Sequence, residues 1–183
     1  MYTLPRHNVK PELAIAIGLS PDIAILISIG QMQALVFPDD IKYRGLTFIH
    51  AASVDRDNIE EVTASLLEMG AQPDQIETIL ELDSIVAHCQ IKDVEEIVDR
   101  STWEERADSY RLSGDFDVLV GILGKPSIFI YYLEDIVEIE DPVNGFGLRA
   151  GEILDAPNIK DIYAFQEAVK RSANQKSVSC PTA

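Results

Sequence analysis

The amino-acid sequence predicts an α+β domain in which helices flank a mixed or antiparallel sheet. The first reason is that several short apolar runs follow one another through short links, which argues against a doubly wound parallel sheet. The second is that other segments carry apolar residues at helical spacing, before and between these runs. Because short strands that turn often tend to curl, we expect the sheet to form a partly open barrel.

The opening of the chain predicts the order strand, helix, strand, strand. Residues 13–17 form a branched apolar run that is typical of a buried strand. A helix is expected to begin at Pro21, with Ser20 as its N-cap. Gly30 can take the left-handed conformation that ends a helix. The two strands expected next are residues 32–37 and 46–50.

The rest of the chain alternates between helical and extended patterns. We expect helices where apolar residues recur at helical spacing, and strands where branched apolar residues run together. The expected elements are, in order, helices at 57–69 and 74–80, a strand at 84–91, a helix at 102–110, strands at 118–123 and 127–140, and a helix at 161–172.

The length of 183 residues and the 46% of hydrophobic residues allow one domain with its own core. We expect a single domain over residues 1–173, with an acidic, mostly helical insertion at about 55–110 and a disordered polar tail at 174–183. Cys89 and Cys180 belong to no C-x-x-C pair and no histidine cluster, so we predict no disulfide, metal site or cofactor.

The net charge of −16 is concentrated in the middle third of the chain. Residues 55–108 hold sixteen acidic and four basic side chains, whereas residues 1–54 hold four of each. One interpretation is a solvated face that keeps the protein soluble, and the other is a surface that attracts a basic protein partner. Strong binding to a DNA backbone is not expected there, because it requires clustered Lys and Arg.

We expect a cytoplasmic protein without a membrane partner. The N-terminus lacks the pattern of a signal peptide, and the longest apolar runs are too short to span a bilayer. The two lone cysteines also fit a reducing compartment.

The sequence contains none of the common catalytic signatures, neither H-E-x-x-H nor G-x-S-x-G nor an EF-hand loop. The glycines at 121 and 124 lack the spacing and the Ser or Thr of a phosphate-binding P-loop. His88 and Cys89 are adjacent, and neighbours on a strand point to opposite faces, so a Cys–His nucleophile is not expected.

Polar side chains that could serve a ligand gather between Gly30 and Ser53. Arg44 could fork onto a carboxylate or phosphate, or it could cap backbone carbonyls. His50 could face a ligand and is the one candidate for a catalytic base, or it could be a hydrogen-bonded core histidine. The candidate ligand-binding residues are Gln31, Gln33, Tyr43, Arg44, His50 and Ser53.

This region resembles the opening of ASCH domains, members of the PUA-like superfamily. Such domains carry a helix, then G-x-K-x-x-E-x-R, then a Tyr/Phe-Arg-Gly turn and a strand that ends in Ile-His-Ala. The matching residues here are Pro21, Gly30, Tyr43-Arg44-Gly45 and Ile49-His50-Ala51. Residues 131–135 and 142–148 are similar to a later aromatic-Leu-Glu strand and closing turn. The resemblance covers about residues 13–53 and 114–154, and it implies a PUA-like pseudo-barrel with flanking helices.

The chain departs from the family at three charged positions. Counted from Gly30, the family's Lys, Glu and Arg fall at Met32, Leu35 and Phe37. In active relatives, which resemble amidohydrolases acting on acylated cytidine, that Lys works with a Thr and a Glu. A methionine can neither take nor deliver a proton, and the neighbouring glutamines cannot act as acid or base. Catalysis of the family type is therefore not expected.

The resemblance implies a non-catalytic or divergent ASCH-type binding domain, with a nucleotide, modified nucleoside or RNA segment as its ligand. Such a ligand would approach the neutral first third or the basic residues Lys170, Arg171 and Lys176. Two alternatives stay open. One is a hydrolase of acylated nucleosides with a rearranged site that uses His50 as base. The other is a protein-interaction module that uses the acidic insertion.

Overall fold

The computed structural model describes residues 14–144 and 147–155, which contain six strands and five α-helices. The strands are β1 Ile15–Leu19, β2 Ala34–Phe37, β3 Gly45–Ala51, β4 Ser84–Ile97, β5 Ile128–Asn144 and β6 Ile153–Asp155. The helices are α1 Pro21–Ser28, α2 Ile59–Glu68, α3 Pro73–Leu80, α4 Arg100–Tyr110 and α5 Phe116–Leu123, with a 3-10 turn at Arg56–Asn58.

The six strands form one mixed sheet in the order β2-β5-β4-β3-β1-β6. The pair β1–β3 is parallel, and the other four pairs are antiparallel. The register between β4 and β5 shifts three times, and such bulges bend a strand and increase its twist. The sheet thus curls into a half-barrel with helices around it. This confirms the predicted α+β class and the predicted mixed, partly open barrel.

Alternation along the strands gives the sheet two buried faces. Helix α1 packs on one face over β3, β4 and β5, and a cluster with Ile17, Ile49 and Tyr131 lies between them. The opposite face carries a second cluster around Phe48 near β1 and β3. Near β2 the same face carries a third cluster, in which α4 and α5 contribute the buried Trp103 and Phe116. A smaller cluster joins α2 to α3.

The predicted start and end of the first helix are confirmed. Pro21 is its first residue, and Gly30 follows it with a φ of 73°, in the left-handed region. Ser20 occupies the N-cap position, but its side chain makes no capping hydrogen bond.

The predicted strand at 118–123 is wrong, because this segment belongs to helix α5. The Asp115 side chain accepts hydrogen bonds from the backbone N–H groups of Asp117 and Val118, which is the N-cap arrangement. Gly124 ends the helix with a φ of 61°. A short apolar run does not distinguish strand from helix by periodicity, so the caps decide the structure.

Two further predictions concern the length of elements and the limits of the domain. Strand β4 runs to Ile97 rather than to residue 91, and α4 begins at Arg100. The stretch 55–110, predicted as a mostly helical insertion, therefore includes a central strand of the sheet as well as α2, α3 and α4. The division into residues 1–173 and a tail stays a prediction, since 156–183, with the predicted helix 161–172, lie outside the described residues.

Within the described residues, no helix is long and apolar enough to cross a membrane.

Candidate functional site

The link between β2 and β3 brings Arg44 against Tyr131 of β5, a residue 87 positions later in the chain. The guanidinium carbon of Arg44 lies 5.5 Å from the centre of the Tyr131 ring. An Arg44 guanidinium nitrogen lies 3.6 Å from a carboxylate oxygen of Asp40. The guanidinium also donates a hydrogen bond of 2.7 Å to the carbonyl oxygen of Tyr43. The Arg44 side chain is 39% exposed, so the guanidinium rests on a ring while part of it faces solvent. We call Asp40, Arg44 and Tyr131 the rim.

The hydroxyl of Tyr131 holds the rim together. It accepts a hydrogen bond from the backbone N–H of Ile41 at 2.6 Å and donates one to Asp40 at 2.8 Å. Tyr131 is fully buried, and this burial together with the bond to Asp40 raises its pKa to about 12, so that it remains a neutral donor. The backbone N–H of Lys42, the Tyr131 hydroxyl and Arg44 lower the pKa of Asp40, which keeps it an anion.

The backbone conformation of the turn Tyr43-Arg44-Gly45 requires a glycine at its third position. Gly45 has a φ of 144°, and a Cβ at this position would lie 3.0 Å from the Tyr43 hydroxyl. The Tyr43 hydroxyl donates to the carbonyl oxygen of Leu46 at 2.7 Å, so the ring folds back over the glycine. Burial raises the pKa of Tyr43 to about 12. Tyr43 therefore packs inward, and Arg44 is the residue of the turn that reaches the rim.

His50 lies in a different environment. It has no exposed surface, and its Nε2 lies 3.0 Å from a carboxylate oxygen of Asp83. Burial lowers its pKa, and Asp83 opposes that effect. Because Ile49 packs in the cluster that contains Tyr131, alternation along β3 points His50 to the opposite face of the sheet. Contact between His50 and a ligand would require its cover to move.

The remaining candidates lie apart from the rim. Gln31 is exposed and accepts a hydrogen bond of 2.9 Å from Arg111, the residue that follows α4. Gln33 and Ser53 are exposed. Of the six candidates, the structure therefore places only Arg44 at the rim, with its neighbour Tyr43 packed inward, and it distributes the other four over separate places. A binding role for each of the six stays a prediction.

Comparison with known proteins gives matches among solved structures. No protein-family model and no curated protein matches the sequence. The crystal structure of ASCH from Zymomonas mobilis matches with a TM-score of 0.56 at 11% identity, over 85% of this chain and 95% of that chain. Two point mutants of that protein match with TM-scores of 0.54 and 0.53 at 11% and 12% identity, over 84% and 86% of this chain and 97% of each of theirs.

The chain has an ASCH-type fold. This agrees with the resemblance seen in the sequence, and at such low identity the likeness establishes the fold alone.

Core residues fill the three positions onto which the sequence resemblance places the family's charged residues. Met32, Leu35 and Phe37 are each at most 8% exposed, and all three belong to the cluster under α1. Phe37 packs edge-to-face on Tyr131, with ring centres 5.2 Å apart. These side chains fill the space beside the rim with apolar surface and offer no group that exchanges a proton.

Sequence reasoning missed two residues of the rim. Asp40 belongs to none of the sequence patterns described above, and Tyr131 enters them only as part of the aromatic-Leu-Glu strand at 131–135. Neighbours on a strand point to opposite faces, and Tyr131 does face the core while Tyr132 packs with α4 and α5. The partnership of Asp40 with Tyr131 spans 91 positions and carries no local signal.

No group of three or more His, Cys, Asp or Glu side chains among the described residues could hold a metal ion.

Proposed function

We propose that this protein is a non-catalytic binding domain that holds a nucleotide, a modified nucleoside or an RNA segment at the rim formed by Asp40, Arg44 and Tyr131. The observation that carries the proposal is the position of Arg44, with its guanidinium over the Tyr131 ring and 39% of its side chain exposed. An arginine plane in this position can stack on a nucleobase, and its N–H groups can bind a phosphate.

The charge around the rim supports an anionic ligand. The segment between β2 and β3 carries the exposed Lys42 as well as Arg44. Asp39 of the same segment pairs with Lys125 at 2.6 Å. The three cations Lys42, Arg44 and Lys125 and the two acids Asp39 and Asp40 sum to a formal charge of +1, in a chain of −16. An anion is therefore repelled less here than at the acidic middle of the chain.

The apolar filling beside the rim supports binding without turnover. General acid–base catalysis needs a titratable side chain within reach of the reacting atoms. Met32, Leu35 and Phe37 occupy the positions where the family's motif has Lys, Glu and Arg, and none of them titrates. The buried His50 lies on the other face of the sheet.

The direct test is a titration of short RNAs and nucleotides at low salt against wild type, Arg44→Ala and Arg56→Ala. Arg56 is an exposed arginine in the acidic region, so its removal is a matched loss of one positive charge. We expect Arg44→Ala to weaken binding by about tenfold or more, because a charge-assisted contact is lost. Arg56→Ala should leave the affinity unchanged. Absence of binding by wild type, or equal affinities for wild type and Arg44→Ala, would refute the proposal.

A second candidate function is supported by the charges on α2 and α3. Residues 55–83 hold nine acidic side chains and one basic residue, Arg56. Among these nine acids, none pairs with a Lys or Arg of the described residues, and Asp83 alone contacts a histidine, His50. We therefore also propose that this surface binds a basic protein. Salt-sensitive co-purification with one defined basic protein, weakened by Glu77→Gln with Glu81→Gln, would support it, and retention of the complex by that double variant would contradict it.

A further inference from the structure

Asp40 carries a carboxylate oxygen that no described residue uses. Its Oδ1 accepts hydrogen bonds from the backbone N–H of Lys42 and from the hydroxyl of Tyr131, both at 2.8 Å. A guanidinium nitrogen of Arg44 lies 3.6 Å from the same oxygen. The other oxygen, Oδ2, accepts no hydrogen bond from a described residue, and the side chain is 33% exposed. Asp40 therefore offers one free acceptor at the rim.

The carboxylate of Asp40 is held by two donors from different parts of the chain. Tyr131 belongs to β5 and is fully buried, so its hydroxyl has a fixed position. Lys42 has a φ of 53°, in the left-handed region that residues other than glycine rarely adopt, and in this conformation its N–H reaches Asp40. Because both donors bind Oδ1, Oδ2 is the oxygen that remains for a ligand.

Arg44 would bring a stacked base next to this oxygen. Its guanidinium carbon lies 5.5 Å from the centre of the Tyr131 ring, and 39% of the side chain is exposed. A nucleobase stacked on the guanidinium lies about 3.5–4 Å from its atoms, the ordinary distance of a non-bonded contact. Since Asp40 lies 3.6 Å from the same guanidinium, an edge of that base can meet Oδ2.

An ionised carboxylate distinguishes bases by the groups on their edges. It accepts hydrogen bonds and donates none, so it selects for N–H groups. Adenine and cytosine present an exocyclic amino group, whereas hypoxanthine and uracil carry a carbonyl oxygen at the same position. The ring N–H of hypoxanthine or uracil lies beside that carbonyl oxygen, which the negative charge of Asp40 repels. Oδ2 therefore favours the bases that carry an amino group.

We propose that Asp40 makes the rim selective for nucleotides whose base carries an exocyclic amino group, which donates a hydrogen bond to Oδ2. Arg44 supplies the plane on which the base stacks, and Asp40 distinguishes one base from another. This inference rests on the proposed function, because it names the kind of nucleotide that the rim prefers.

Two matched pairs of mononucleotides test the selection, AMP against IMP and CMP against UMP. Within each pair the amino group is replaced by a carbonyl oxygen. NMR titration of the protein at low salt gives the four dissociation constants. Wild type is expected to bind AMP and CMP about tenfold more tightly than IMP and UMP, because a hydrogen bond to a charged acceptor is lost with the second member of each pair.

Asp40→Asn exchanges the free acceptor for a donor. The amide oxygen is expected to take the place of Oδ1, since both groups that bind there are donors, and the amide NH2 then replaces Oδ2. This variant should lose the preference for AMP and CMP or favour IMP and UMP. Asp40→Ala has neither acceptor nor donor and should bind both members of a pair equally.

Asp39→Asn is the matched control. It removes the same charge at the neighbouring position, where the side chain is 67% exposed and pairs with Lys125. The ratio of affinities within each pair should stay as in wild type. Urea denaturation confirms that each variant is folded.

The results distinguish this inference from the proposed function. Wild type that binds none of the four nucleotides overturns both. Wild type that binds all four with equal affinity overturns the selectivity and leaves the proposed function standing. A preference that both Asp40→Asn and Asp40→Ala retain also overturns the inference, since the selection would then come from another residue.

Discussion

At the scale of single residues, the candidate site depends on one hydroxyl group that no local pattern reveals. The Tyr131 hydroxyl connects the backbone of Ile41 to the carboxylate of Asp40, and Asp40 in turn pairs with Arg44. Arg44 could be predicted from its place in the Tyr-Arg-Gly turn. The hydroxyl could not, because Tyr131 lies 90 and 91 positions from its partners Ile41 and Asp40 and meets them only when β5 forms.

We therefore predict that Tyr131→Phe lowers the free energy of unfolding by about 1–2 kcal/mol, because the N–H of Ile41 loses a partner in a part-buried place. The edge-to-face contact with Phe37 is retained in this variant, so a packing defect is not expected. Urea denaturation measures the change. A variant as stable as wild type would show that the hydroxyl does not hold the rim.

Two buried histidines give the protein a predictable dependence on pH. Burial lowers the pKa of both His50 and His88 in the folded state, below their ordinary value of 6.5. The unfolded chain therefore binds more protons than the folded one as the pH falls below about 6.5. Their contribution to stability is present above that pH and is lost as the pH decreases.

The measurement is the urea midpoint between about pH 8 and pH 5, where carboxylates with ordinary or lowered pKa values stay ionised. The midpoint should fall on acidification within this window. His88→Gln should flatten the dependence, since the buried residue at 88 then no longer titrates. A midpoint independent of pH in wild type would show that neither histidine has a lowered pKa in the folded protein.

At the scale of elements, sequence patterns predicted most of the helices and strands. They failed at α5, where the same apolar composition suits a helix and a strand. The segment from Val118 to Leu123 carries no polar side chain, and as a run of residues it fits a strand as well as a helix. The caps Asp115 and Gly124 decide the outcome through hydrogen bonds and a left-handed φ. The extent of β4 was also underestimated, because its second half carries exposed acidic residues and is recognisable only through pairing with β5.

The loop at residues 149–152 approaches β1 closely, and this contact gives a further prediction at the scale of elements. Gly18 exchanges backbone hydrogen bonds with Glu152 and Gly151, and a Cβ at this position would overlap the carbonyl oxygen of Arg149. We expect Gly18→Ala to lower the free energy of unfolding by about 1–3 kcal/mol, because β1 and the loop must separate.

Gly121→Ala is the matched control, because its added Cβ meets open space on a helix. This variant should be as stable as wild type or more stable by up to about 1 kcal/mol. Equal stabilities for Gly18→Ala and wild type would show that the loop does not pack tightly on β1.

At the scale of the whole molecule, the ASCH-type fold is present without the charges of the family's motif. The fold was predictable because its signals are local and recur in order: apolar runs, a Pro at a helix start and a glycine after it. The arrangement of the site was not, since Gln31, Arg44 and His50 are near in sequence but have partners just after α4, on β5 and in the loop before β4. Partners of this kind are set by topology.

We propose that the whole molecule binds a nucleic-acid component at the rim and does not convert it. NMR titration of the protein with acylated cytidine or a short RNA measures binding through the protein signals and turnover through the ligand signals. We expect backbone signals of residues 39–45 and 129–131 to shift and saturate, while the signals of the ligand show no new chemical species over time. Shifts confined to other parts of the chain, or the appearance of a hydrolysis product, would contradict it.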